Sequence, residues 1–153
     1  MQSTFESNTA QSIKTTAHSN LIHNPTLERQ IDEITAGIAD FYAKALRTLS
    51  EENIRVIVDY ILSVKTEINC SDHYRRDIIH ALTKFAKHNN TNFKQVTRES
   101  IISYLNTFRK SETADPMHRW IGSYNTYLIH LSRFLSGYIL LILMPNIDLN
   151  RVF

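Results

Sequence analysis

Glycine, proline and cysteine are scarce: three, three and one in 153 residues. So few turn formers disfavour an all-β fold, which needs many tight reversals, and favour long helices. A single cysteine, Cys70, excludes an internal disulfide, so a reducing, cytoplasmic compartment is expected. The N-terminus lacks a charged stretch followed by an apolar one, so no signal peptide is read there. Long hydrophobic runs are missing too. Tyr138–Met144 is only seven residues, against about twenty needed to cross a bilayer. Extending it back to Tyr127 takes in His130 and Arg133, each costly at bilayer depth, so no membrane span is expected.

Enzyme signatures are also thin. There is no Gly-rich phosphate loop. The seven histidines do not cluster at zinc spacing, so neither a metal nor another cofactor is expected. An H-x-x-R box at His130–Arg133 is a weak pattern with no nucleophile or oxyanion partner beside it, and two exposed helix residues explain it better.

What is present is helical periodicity. Residues 1–26 are rich in Ser, Thr, Asn and Gln and read as a flexible tail. From Leu27, apolar residues recur three or four apart (Leu27, Ile31, Ile34, Ile38, Phe41, Ala45, Leu49), predicting one amphipathic helix over 27–48. Ser50 is placed to cap a second helix burying Ile54, Ile57, Val58, Ile61, Val64 and Ile68. Ser71 is placed to cap a third burying Tyr74, Ile78, Ala81, Leu82 and Phe85. Thr97 is placed to cap a short one burying Ile101, Leu105 and Phe108. Asp115-Pro116 is read as the start of the last helix, where Pro suits the first turn. Its expected apolar stripe is Ile121, Tyr124, Leu128, Leu131 and Leu135, widened by Trp120, Tyr127 and Phe134. The expected architecture is an all-α bundle of four core helices with an additional N-terminal helix.

Charge is unevenly placed. Residues 1–70 carry six Lys and Arg against nine acids, and residues 71–153 carry eleven against six, with five of the seven histidines. An anionic partner is therefore sought in the second half. Two stripes stand out there. His73, Arg76, His80, Lys84 and Lys87 recur at helical spacing on one helix, and Arg119, Ser123, Thr126, His130 and Arg133 on the last. Polar stripes are commonly just solvated faces, but such faces mix signs, and here acids are nearly absent, Asp77 being the nearby exception. Arg, Lys, Ser and Thr suit phosphates and base edges, and a helix fits the major groove.

The segment "LSEENIRVIVDYILSVKTEINCSDHYRRDIIHALTKFAKHNNTNFKQVTRESIISYLNTFRK", followed by "DPMHRWIGSYNTYLIHLSRFL", resembles the N-terminal core-binding domain of tyrosine recombinases, the phage-type integrases, in versions found in archaea. The likeness spans about residues 41–135 and includes Phe93 to Leu105 and the run "DPMHRWIGSYNTYLIHLSRF". It implies a SAM-like helical domain over 27–137 that clamps double-stranded DNA together with a catalytic domain, its second and fourth helices against the major groove. Matching positions imply that His73, Arg76, His80, Arg119, Ser123 and Thr126 face DNA. Lys84, Lys87 and Arg133 follow from the stripes alone, as phosphate contacts.

The Tyr nucleophile and its Arg, Lys and His partners belong to the family's catalytic domain and have no counterpart here, so the expectation is DNA binding without cleavage. Related integrases continue after "RF" as Phe-Lys-Trp-Leu-Tyr. Deleting one T from TTC-TTT-AAG-TGG-TTA-TAT gives TTC-TTA-AGT-GGT-TAT, the Phe-Leu-Ser-Gly-Tyr of residues 134–138. The hypothesis is an out-of-frame segment over 135–153 that ends in an apolar tail over 138–153; downstream DNA with no catalytic domain in another frame overturns it. Two rival expectations are a protein-interaction module docking full-length recombinase protomers and a truncated gene product with no role.

Overall fold

The computed structural model describes residues 24–143, with side chains through residue 138. It is an all-α bundle, with no strand among the described residues. Most of the expected tail and the end of the chain (1–23 and 144–153) lie outside the described residues.

Helix α1 spans Pro25–Thr35. It starts inside the expected tail, because Asn24 Oδ1 accepts from the backbone N–H of Thr26 and Leu27 and Pro25 suits the first turn. Leu27, Ile31 and Ile34 are fully buried. The single helix expected over 27–48 is broken in two. Gly37 adopts φ +80, where an L side chain is strained, and a Cβ there would lie 3.0 Å from Asp72 Oδ2. The chain restarts as α2, Asp40–Leu46, in a new register. Ala43 and Leu46 go inward, while Phe41, expected in the core, is 62% exposed.

Helix α3 (Glu51–Glu67) is capped by Ser50 and α4 (Asp72–Asn89) by Ser71, both as expected. Ile68 has passed the end of α3 and is exposed rather than core. Asn90, at φ 49, closes α4 in the left-handed conformation that Asn tolerates. The buried Asn53 pins the next turn onto α3: its Nδ2 donates to Thr91 O at 3.0 Å and its Oδ1 accepts from Phe93 N at 2.9 Å. A short 3-10 turn, Phe93–Gln95, leads to α5 (Arg98–Asn106), which opens on a reciprocal Thr97–Ser100 capping box.

The last helix, α6, spans Trp120–Leu143 and begins later than expected. Asp115-Pro116 lies in a turn ahead of it. There His118 takes φ 50, and Asp115 Oδ2 reaches forward to accept from Trp120 N at 3.0 Å. The helix runs unbroken through Gly137, so the boundary expected between 137 and 138 falls inside it. No helix among the described residues is long and apolar enough to cross a membrane.

Helix α4 is central and packs against α2, α3, α5 and α6. The core is largely aromatic around α6: the Phe134 ring lies edge-on to Phe93 at 4.8 Å and to Tyr60 at 5.1 Å, and Phe85 meets Tyr104 at 5.3 Å. Such pairs add to the apolar area they bury. The buried line of α6 is Tyr127, Leu131 and Phe134. Ile121 and Leu128, expected to face inward, are 43% and 37% exposed.

Candidate nucleic-acid interface

Helices α4 and α6 are antiparallel neighbours. Near one end, Tyr74 of α4 meets His130 (ring centroids 5.7 Å apart) and accepts a hydrogen bond from Arg133 Nη1 at 3.0 Å; further along, His80 meets Tyr127 at 6.3 Å. The flank of α6 that carries the polar stripe is therefore turned toward α4, and both stripes border one seam.

On α4, His73, Lys84 and Lys87 are exposed. Arg76 is only partly exposed and is engaged by its own neighbour: Nε and Nη2 both donate to Asp77 Oδ1, at 2.9 and 2.8 Å. His80 is half-buried between the rings of Tyr42 and Tyr127, at 6.1 and 6.3 Å. Burial pushes its imidazole below the usual value, and the neighbouring Lys84 adds to that. At neutral pH His80 is thus a ring in a groove rather than a fixed cation.

On α6, Arg119, Ser123 and Thr126 are exposed, and the Thr126 hydroxyl donates to Gly122 O at 2.9 Å. Arg133 reaches solvent but is steered by the Tyr74 phenol oxygen. His130 departs from expectation. It is buried, at 8% exposure, because α4 covers that flank of α6, and its Nδ1 has no hydrogen-bond partner. Burial lowers its pKa. The H-x-x-R pair thus meets on Tyr74 as packing, with the histidine turned away from solvent.

The two helices leave His73, Lys84, Lys87, Arg119, Ser123 and Thr126 exposed, with Arg76, Arg133 and the Thr126 hydroxyl engaged by partners. Asp77 is the acid among them. Sequence reasoning missed Phe41 and Tyr42, which flank the outer face of α4 from α2. The available signal was Gly37, a residue able to break the apolar spacing that had assigned Phe41 to the core. Among the described residues no three His, Cys, Asp or Glu side chains gather as a metal site would require. No protein family, curated protein or solved structure matches this chain.

Proposed function

We propose that the chain is a non-catalytic helical domain that binds duplex DNA along the α4–α6 seam, in the manner of the core-binding domain of tyrosine recombinases that its sequence resembles. The observation that carries the reading is the adjacency of two exposed polar strips. Lys84, Lys87 and His73 lie on α4, with Arg119, Ser123 and Thr126 on the flank of α6 turned toward it. Cations of this kind neutralise phosphates and release counterions, so the affinity depends steeply on salt. Ser and Thr hydroxyls donate to phosphate and sugar oxygens.

Lys84 and Lys87 test it best, because reversal at Arg76 would also set a second acid beside Asp77. Purified protein should retard a duplex at low salt. The Lys84→Glu/Lys87→Glu variant should lose that binding with unchanged helical circular dichroism. Replacing each lysine with Gln should flatten the salt dependence by about one unit of slope for every phosphate no longer neutralised. Equal retardation by parent and charge-reversed variant rejects the reading.

A protein-docking role is the second reading, favoured by Ile121, Leu128 and Ile129, which stand exposed along α6. Absence of duplex retardation, together with concentration-dependent self-association, favours it.

A further inference from the structure

A row of rings crosses three helices on the outer side of α4. Phe41 meets Tyr42 edge-on at 5.3 Å, Tyr42 meets His80 at 6.1 Å, and His80 meets Tyr127 at 6.3 Å. The row starts in solvent, with Phe41 at 62% exposure, and ends in the core at Tyr127. Arg76 and Lys84 lie one helical turn to either side of His80, and the exposed Lys44 lies one turn beyond Phe41 on α2. Asp40 and Asp77 are the bordering acids. A lone exposed apolar side chain is ordinary on a protein surface. One that ends a ring row flanked by cations has the composition of a surface that stacks nucleobases while its charges track the backbone.

We propose that Phe41, supported by Tyr42 and His80, is a stacking site for an unpaired DNA base, so that the outer face of α4 takes a single strand as well as a duplex. The inference rests on DNA being the ligand of this face. Phe41 supplies the flat apolar surface, and Tyr42, itself packed against His80, meets it edge-on. Lys84 and Lys44 are placed for the phosphates on either side, while Arg76 is held by Asp77. Stacking is indifferent to base identity, because every base has a π-face, so the site is expected to be sequence-tolerant.

The test is fluorescence anisotropy with one labelled oligonucleotide of roughly 12 nucleotides, presented single-stranded and as a duplex at the same low salt. Phe41→Ala should weaken single-strand binding by about 5- to 150-fold, the loss of one stacked base, and leave duplex binding unchanged. Phe41→Trp should restore it. Phe41 is mostly solvent-exposed, so neither change should alter the fold. No single-strand binding by the parent, no effect of Phe41→Ala, or an equal loss for both forms overturns the proposal. A parent that binds the strand but not the duplex supports it and rejects the duplex reading alone.

Discussion

Helices α4 and α6 lie side by side, yet the two obey their sequence patterns differently. On α4 four of the five expected inward residues, Ile78, Ala81, Leu82 and Phe85, are at 2% exposure or less, Tyr74 is only partly buried, and His73, Lys84 and Lys87 of the basic stripe face outward. On α6 the expected stripe is displaced. Ile121 and Leu128 face solvent, while His130, expected outside, is covered by α4. The reason is that α6 carries two apolar lines. One runs through Ile121, Leu128 and Leu135, the other through Tyr127, Leu131 and Phe134. A helix with one apolar line has its buried face fixed by its own pattern; a helix with two lets its neighbours choose. The aromatic line wins because Phe134 fills the space between Tyr60 and Phe93, which buries more surface than the branched aliphatics could.

Truncating either buried aromatic should have the largest effect. Phe134→Ala and Phe85→Ala, both at full burial, should each cost about 3–5 kcal/mol in urea unfolding. Ile121→Ala, on the outward-facing line, should change stability by no more than about 0.5 kcal/mol. A comparable destabilisation at Ile121 would mean that α6 is buried along the other line.

The helix starts should differ less. Ser71→Ala removes the side-chain cap of α4, which accepts from Tyr74 N at 3.2 Å, and should cost about 1 kcal/mol. Asp115→Ala removes the acceptor for Trp120 N and should cost about 0.5–1 kcal/mol. Thermal unfolding of the two variants compares a cap set by sequence spacing with one set by a turn. A neutral Asp115→Ala would show that the turn holds α6 without the carboxylate.

The smallest effect is the pH dependence. Burial depresses the imidazoles of His80 on α4 and His130 on α6 below 6.5. The unfolded chain therefore binds more protons as pH falls below about 6.5. Stability should be fully present above that value and decline as pH drops toward the folded-state values. His130→Gln should make the decline shallower, read as the urea midpoint at about pH 7.5 and 5.5. An unchanged decline would mean that His130 carries none of it.

Much of the fold was legible from spacing alone. Ser50, Ser71 and Thr97 sit at the caps where their positions ahead of apolar runs put them. The break at Gly37 was not read, because the apolar repeat continues across it while the backbone does not. The candidate interface was legible as composition only. His73, Lys84, Lys87, Arg119, Ser123 and Thr126 are exposed as read. The engagement of Arg76 by Asp77 and the burial of His130 were not, since both depend on where side chains meet rather than how they are spaced.

The sequence by itself determined that α3, α4 and α5 exist, where each begins, and that the second half is richer in cations. Those properties are local: a cap needs groups three residues apart, and an apolar line needs a repeat along one helix. Tertiary structure alone decided which line of α6 is buried, that Phe41 stands in solvent, and that Arg133 bonds to the Tyr74 phenol fifty-nine residues away. Pairings between groups so distant in the chain leave no periodic trace, because they are fixed by how the helices fill space against one another.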